Sequence, residues 1–297
     1  MSLKHDDCLS IVQAMKAGGF YSRIMAGGSE LDRVKAYLRA FEGSSGPAEQ
    51  SGLQYPDYPL FPGLRNQPFR DAGELPGVVM LEQNFELIRS EWAALADSAY
   101  LRYLPSSMHS LWLVYLLSYM GVRQPPEGTQ CPGTQSLLSS LPGVCLDYPW
   151  GDAVFSVHAS AAHLRSHCSV DNLRVRCHLA LQVPAGCSIR VGQETRHWEE
   201  GKALVFEDSF EHEVWNRGTT RRAILIVDFW HPDLTLVEKE ALTAGFCKSE
   251  VRRLFMFKRL QAAQPCPQAL LDDLSHQVAL QEHSPNRAAY WQAPETH

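Results

Sequence analysis

The chain has 297 residues, of which 45% are hydrophobic and 20% are charged, and its formal net charge is −6 at pH 7. A chain this apolar can bury enough surface to offset its ordering entropy, so the composition excludes a disordered protein. The sequence has no apolar run long enough to span a membrane and no basic excess, which argues against a membrane-spanning or a nucleic-acid-binding protein.

The first residues carry charged side chains with no apolar core behind them, so they do not resemble a signal peptide. The 8 cysteines include no CxxC pair, and a chain of this length builds a core without disulfides. We therefore expect a cytoplasmic protein with reduced thiols and with no membrane or nucleic-acid partner. The sequence leaves the oligomeric state open.

Helical spacing dominates the first 42 residues and predicts two helices. One apolar series recurs every three or four residues, at Leu31, Val34, Leu38 and Phe41. Gly27-Gly28 separates this series from an earlier helical run over residues 8–15. A Gly- and Ser-rich linker over residues 43–52 follows.

The next segments are mixed in character. Residues 55–62 are rich in proline and aromatic residues, which predicts an extended strip without regular structure. Residues 78–95 place their apolar side chains on one face and predict a single helix. Residues 106–119 fit either a strand or a buried helix, because periodicity does not separate the two for a short apolar run.

Short β-rich runs separated by turn residues begin after Trp150 and continue to Pro232. The runs cover residues 153–157, 173–183, 188–191, 203–206 and 223–230. Strands this short and this closely spaced are typical of a sandwich or barrel, not of βαβ units. The chain then returns to helix, predicted over residues 238–242 and 249–260.

The run from 173 to 183 alternates apolar and polar side chains without interruption. Because successive side chains of a strand point to opposite faces, Arg174, Arg176 and His178 share one face. Such a face either meets solvent or lines a polar cavity. Two nearby histidines, His167 and His212, and a following arginine favour a cavity, since imidazoles bind transition metals and guanidinium binds carboxylates. The alternative is that both are ordinary loop histidines.

The ordered motifs from Asn172 to Thr235 resemble those of the aspartyl/asparaginyl β-hydroxylase family of Fe(II)/2-oxoglutarate-dependent oxygenases. The matching motifs are Asn172-x-Arg174-x-Arg176-x-His178-Leu179, Val183-Pro184, Trp198-x-Glu200-Gly201-Lys202, Phe206-x-Asp208-Ser209-Phe210-Glu211-His212-Glu213 and Asp228-x-Trp230-His231-Pro232-x-Leu234-Thr235. Weaker similarity extends the match to residues 60–240.

This resemblance implies an all-β core built as a double-stranded β-helix (a cupin-like jelly roll), with α-helices flanking it at both ends. On this basis we divide the chain into three parts. Residues 1–58 form an N-terminal helical extension, and residues 59–240 form the catalytic jelly-roll domain with a helical lead-in. Residues 241–297 form a C-terminal helical extension.

The resemblance also implies an iron site. The two iron ligands of the family correspond to His167 and His212, and the family lacks the carboxylate that completes the usual facial triad. Ser169 stands where the family has glycine, and because a hydroxyl is a poor iron ligand we expect water to complete the shell. Asp208 is then a catalytic residue that orients this water. Asp171 is a rival carboxylate, but its offset from His167 does not fit.

The co-substrate and substrate contacts follow from the same resemblance. Arg222 would hold the distal carboxylate of 2-oxoglutarate, and Ser156 would donate a hydrogen bond to it. His178 is expected to contact the co-substrate from the polar face of its strand. Arg174 and Arg176 are candidates to clamp an acidic group of the substrate; solvent-facing charge is the alternative role for both.

The reaction implied uses Fe(II), 2-oxoglutarate and O2. It hydroxylates an unactivated C–H bond of an acidic amino-acid, peptidyl or natural-product substrate and releases succinate and CO2. One alternative uses the same cofactors for acyl-chain hydroxylation, desaturation or halogenation. A non-catalytic jelly-roll binding protein would have lost His167, His212 or Arg222, and all three are present. Departures such as Ser160-Ala161-Ala162, where the family has Pro-Gly-Thr, leave the substrate open.

Overall fold

The computed structural model of the chain describes residues 5–43, 53–103, 110–123, 129–248, 250–252, 254, 263–264 and 289–291. The helices in chain order are α1 (His5–Ala17), α2 (Phe20–Ala26), α3 (Asp32–Phe41), α4 (Pro76–Gln83), α5 (Phe85–Ala94), α6 (Pro132–Ser140) and α7 (Leu236–Phe246). The strands are β1 (Phe69–Arg70), β2 (Leu101–Tyr103), β3 (Trp112–Tyr119), β4 (Val122–Arg123), β5 (Ala153–His158), β6 (Ala162–His167), β7 (Arg174–Gln182), β8 (Cys187–Val191), β9 (Glu194–Arg196), β10 (Ala203–Phe206), β11 (His212–Asn216), β12 (Arg222–Trp230) and β13 (Ala263–Gln264).

The strands form two antiparallel sheets. The larger sheet has the order β1-β10-β7-β12-β5-β3-β2-β13, with β4 beside β3, and the smaller has the order β6-β11-β8-β9. From β5 to β12 the chain passes back and forth between the sheets, except that β8 and β9 are neighbours within the smaller one. One apolar cluster joins side chains of both sheets, so their inner faces pack together. The predicted strand runs and the antiparallel, β-rich architecture are confirmed.

The two faces of the larger sheet have different roles. Its outer face packs on helices α4, α5 and α6, and the apolar side chains of β7 (Val175, Cys177 and Leu179) are fully buried there. Since side chains alternate along a strand, the residues between them face the smaller sheet. The inner face therefore carries the polar side chains of β7, as the alternation of the sequence predicted.

A second core joins the N-terminal helices to the end of the sheet. Helices α1, α2 and α3 share one apolar cluster with α7 and with Trp230 at the end of β12. In that cluster the Tyr37 ring lies edge-on to Phe41, with centroids 5.0 Å apart. Arg33 on α3 donates from Nε to Glu238 on α7 at 2.7 Å. The predicted division at residues 58 and 240 stays a prediction, and the helices at both limits pack into this one cluster.

Two helix predictions were wrong in detail. The first 42 residues were predicted to hold two helices, but the described part of this segment holds three, because the chain also breaks at Gly18-Gly19, where Gly19 adopts φ 84°. Residues 78–95 were predicted as one helix, but Asn84 separates α4 from α5. The Asn84 side-chain amide donates to the Met80 carbonyl at 2.8 Å, which closes α4 through a local hydrogen bond.

The remaining ambiguous segments resolve as follows. Residues 112–119 form strand β3, while residues 104–109 lie outside the described part of the chain. Most of the helix predicted over residues 249–260 also lies outside it. Residues 55–62 contain no helix or strand, in agreement with the predicted extended strip. The helices that the structure describes include none with the length and apolarity to cross a bilayer.

Gly77 is a point of close approach between α4 and the sheet. A Cβ at this position would lie 2.5 Å from Cε1 of Phe229 and 2.6 Å from the Pro142 carbonyl oxygen. We expect Gly77→Ala to lower the free energy of unfolding by about 1–3 kcal/mol, because overpacking outweighs the helix preference of alanine, which is about 1 kcal/mol. Urea denaturation measures the change.

Val79→Ala is the matched control on the same helix, since the Val79 side chain is 36% exposed. We expect it to change the free energy of unfolding by about 0.5 kcal/mol or less. A Gly77→Ala protein as stable as the wild type would contradict the close packing of α4 on β12.

Candidate metal centre and co-substrate pocket

Two histidines meet across the smaller sheet. His167 ends β6, His212 begins β11, and the two are direct antiparallel partners whose ring centroids lie 4.2 Å apart. His167 Nδ1 lies 2.7 Å from the Arg165 carbonyl oxygen, and His212 Nδ1 lies 3.0 Å from that of Phe210. Because a carbonyl only accepts, each Nδ1 carries the proton and donates it. Each Nε2 then carries the lone pair of the neutral ring. Metal-binding histidines have the same arrangement, in which one ring nitrogen donates to the protein and the other binds the metal.

The protonation state of this pair suits a metal site. Burial, and next to it the neighbouring His167, lower the pKa of His212 to about 3. Removal from water also lowers the pKa of His167. Both imidazoles are therefore neutral at physiological pH, and neutral imidazole is the form that binds metal.

The described residues contain no cluster of three or more His, Cys, Asp or Glu side chains that could hold a metal. Ser169, two residues after His167, accepts a short hydrogen bond from Nη2 of Arg174, so its oxygen is already engaged. Asp171, the rival carboxylate, accepts from the Tyr148 hydroxyl at 2.9 Å and from the Leu173 backbone N–H at 3.1 Å. The described site thus offers two protein ligands, both imidazoles.

Asp208 lies buried beside the histidines. Its Oδ2 accepts from Nη1 of Arg174 at 2.9 Å and lies 3.1 Å from Nη1 of Arg176. Burial raises the pKa of Asp208, but the two arginines and His212 outweigh this and lower it to about 2, so the carboxyl is ionised. Its Oδ1 has no hydrogen-bond partner among the described residues. This buried acceptor suits a water molecule at the metal site, the role predicted for Asp208.

Arg174 and Arg176 are paired inside the protein. Arg176 donates from Nε and from Nη2 to the two carboxylate oxygens of Asp228, both at 2.8 Å. Arg174 is 2% exposed, and its Nη1 also lies 3.3 Å from Asp228. Solvent-facing charge is therefore the wrong alternative for Arg174. The substrate-clamp role stays a prediction for both, and the Arg176 side chain keeps 19% of its surface exposed.

Arg222, at the start of β12, has a very different environment. It is 1% exposed, and its Nε and Nη1 have no hydrogen-bond partner among the described residues. Burial lowers its pKa to about 10, so the guanidinium is still charged at neutral pH. An unpartnered buried donor costs about 1–3 kcal/mol, and more when it is charged. These orphaned donors fit a carboxylate ligand, because a carboxylate accepts strong, charge-assisted hydrogen bonds from a guanidinium.

Ser156 and His178 lie on the strands on either side of β12. Ser156 on β5 is the cross-strand partner of Ile224, and His178 on β7 is the partner of Ile226. Both isoleucines lie on the same face of β12 as Arg222, the inner face. The Ser156 hydroxyl accepts from Nε1 of Trp112 at 3.0 Å and keeps its own proton to donate. His178 is buried, and its Nδ1 has no partner among the described residues. The structure thus brings Ser156, His178 and Arg222 to one face.

Three ring side chains of this pocket were assigned no role from the sequence, although Trp198 stands in one of the motifs that carry the resemblance. The Trp198 ring packs 4.9 Å from the Arg222 guanidinium and stacks 6.0 Å from His178. Trp112 on β3 and His158 on β5 are cross-strand partners. Extending the alternation of β5 two residues beyond Ser156 would have found His158. Trp112 carried no such signal, because its segment fitted helix and strand equally well.

Similarity to solved structures is broad and weak. The chain superposes on a prolyl-4-hydroxylase of Pseudomonas putida with a TM-score of 0.38 and 17% identity, over 49% of this chain and 86% of that one. An oxidoreductase of the 2OG-Fe(II) oxygenase family from Burkholderia pseudomallei gives a TM-score of 0.35 and 10% identity, over 52% and 81%.

Similarity in sequence is closer. The chain is 37% identical to the human protein named aspartyl/asparaginyl beta-hydroxylase over 190 residues, which is 61% of this chain and 25% of that protein. It is 35% identical to mouse aspartate beta-hydroxylase domain-containing protein 1 over 226 residues, which is 73% and 62%. The chain therefore spans between a quarter and three fifths of the length of these relatives.

The model of one protein family, described as aspartyl/asparaginyl beta-hydroxylase, matches residues 82–232. That match covers half of the chain and includes both histidines of the pair, Asp208 and Arg222. The chain belongs to the aspartyl/asparaginyl β-hydroxylase family.

Proposed function

We propose that the chain is an Fe(II)- and 2-oxoglutarate-dependent dioxygenase that hydroxylates an unactivated C–H bond of an acidic amino-acid, peptidyl or natural-product substrate. One observation carries the proposal: on the inner faces of the sheets, two neutral histidines with free Nε2 atoms accompany a buried arginine with no acidic partner among the described residues. A transition metal suits the first feature, and a dicarboxylate co-substrate suits the second. Membership of the family supports the same chemistry.

We further infer that β5 to β12 form a double-stranded β-helix, the jelly roll expected from the resemblance. The passage of successive strands between two antiparallel sheets supports this assignment. In such a fold the space between the sheets is lined by side chains of both. In this proposal a metal would be held by residues of the smaller sheet, and the distal carboxylate of the co-substrate by residues of the larger one.

His167 and His212 would hold the iron in this proposal. When bound, iron and 2-oxoglutarate supply the oxidising chemistry, in which O2 is consumed and succinate and CO2 are released. Arg222 and Ser156 would bind the distal carboxylate of the co-substrate, and His178 would contact it from β7. Asp208 would orient water in the site through its free Oδ1.

Apolar side chains separate the charged ends of the pocket. Val154, Ile224 and Ile226 form a small buried cluster with Leu116 against the same inner face as Arg222. This cluster suits the methylene carbons of a dicarboxylate, and it keeps water away from the bound ligand. We also propose a cytoplasmic location, which is supported by the seven described cysteines, all of them free thiols.

Replacing either metal-site histidine tests the proposal. We expect His212→Ala and His167→Ala to remove 2-oxoglutarate turnover and to weaken Mn(II) binding at least about 10-fold, because each removes half of the protein ligands. Succinate formation measures the first effect, and isothermal titration calorimetry measures the second.

His163→Ala is the control, since His163 lies on the same strand but its Nε2 is 2.7 Å from Glu213. It should keep turnover within about two-fold, as a substitution away from the site does. Turnover that persisted in His212→Ala would refute the metal site.

Product mass with and without chloride distinguishes hydroxylation from halogenation, and a mass loss of two hydrogens would indicate desaturation.

Arg222 and its neighbour Arg221 form a second matched pair. We expect Arg222→Gln to raise the KM for 2-oxoglutarate about 10- to 100-fold, because a hydrogen bond to a charged group contributes about 1.5–3 kcal/mol. Arg221 is solvent-exposed and its Nη1 lies 2.9 Å from Asp97, so Arg221→Gln should leave the KM unchanged. Steady-state kinetics with varied 2-oxoglutarate gives both values. Equal effects of the two changes would exclude Arg222 as the carboxylate partner.

A further inference from the structure

His158 stands next to Arg222 in the pocket. It is the last residue of β5 and is a cross-strand partner of Trp112 on one side and of Arg222 on the other. The three side chains therefore form a row across the inner face of the larger sheet. His158 is 1% exposed, and its Nδ1 has no hydrogen-bond partner among the described residues.

This histidine adds a hydrogen-bonding group without adding charge. Burial, and next to it the positive charge of Arg222, hold the pKa of His158 well below its ordinary value. The ring is thus neutral and carries one N–H donor and one acceptor nitrogen. Trp112 meets the ring edge-on at 5.2 Å between centroids, so packing sets its orientation.

Arg222 and His158 together present three buried polar atoms that have no hydrogen-bond partner in the described part of the chain: Nε and Nη1 of the guanidinium and Nδ1 of the imidazole. A carboxylate has two oxygens and about four acceptor positions. It can therefore accept from the Arg222 guanidinium, from the Ser156 hydroxyl and from an imidazole N–H at the same time. A methyl group at the same place would leave all of these donors without a partner.

We propose that His158 is a specificity-determining residue, which donates a second, uncharged hydrogen bond to the carboxylate that Arg222 binds. The pocket then selects 2-oxo acids that end in a carboxylate over those that end in a methyl group. This inference rests on the proposed function, because it concerns the co-substrate of the same site.

The test compares two ligands in two kinds of variant. The full chain, loaded with Mn(II) in the absence of O2, is titrated with 2-oxoglutarate and with 2-oxopentanoate, which has the same five carbons but no distal carboxylate. We expect His158→Leu to raise the Kd for 2-oxoglutarate about 10-fold and the Kd for 2-oxopentanoate less than about two-fold. His158→Gln keeps a donor and should stay within about three-fold of the wild type for both ligands.

The outcomes separate the possible roles of His158. If His158→Leu raises the Kd values for both ligands equally, His158 only packs against Trp112. If it leaves the Kd for 2-oxoglutarate unchanged, His158 does not contact the ligand. Either result overturns the inference. If His158→Leu does not fold, His158→Met gives the same comparison with a more adaptable apolar side chain. Wild-type protein that binds Mn(II) but not 2-oxoglutarate would instead refute the proposed function.

Discussion

One buried ion cluster holds the two histidines of the candidate metal centre in place. Arg174 and Arg176 extend from β7 to Asp208, before β11, and to Asp228 on β12. Arginine does not lose its proton, so burying two of them requires carboxylates at hydrogen-bonding distance. Asp208 lies four residues before His212 in the chain. Arg174 also donates to the hydroxyl of Ser169, which lies two residues after His167. The cluster therefore restrains the chain beside both histidines. Loss of one member would leave an uncompensated buried charge.

The contrast among three inward-facing arginines explains how the site is divided. Arg174 and Arg176 are neutralised by aspartates of the chain itself, whereas the described residues offer no carboxylate to Arg222. All three lie on the same face of the larger sheet. A negative ligand is therefore attracted to the far end of the pocket, and the end near the histidines is close to electrically balanced. Electrostatic attraction alone is therefore enough to direct a terminal carboxylate of a ligand towards Arg222.

Local pattern was enough to predict five of the strands and the polar face of β7, because alternation needs no knowledge of the partner strand. Strands β6 and β11, which carry the histidine pair, were not among the predicted runs. It was not enough where structure depends on distant contacts. Strand β3 is fixed by pairing with β5, and the break at Asn84 by one side-chain hydrogen bond. The internal pairing of Arg176 was invisible because Asp228 becomes its neighbour only through the register of β7 and β12. His158 differs from Arg176 in this respect, because the alternation of β5 reaches it and the predicted run stopped one residue short of it.

The direct pairing of His167 with His212 would tie the proposed metal binding to sheet register. A slip of one residue would turn one imidazole to the opposite face, and a bulge after His212 shows that this pairing is locally adjusted. Any ion that needs both rings binds only to chains in which β6 and β11 are correctly aligned. By mass action the ion then stabilises that alignment over every shifted one. In the proposed iron enzyme, a bound metal would thus favour the native register at the edge where β6 meets β11.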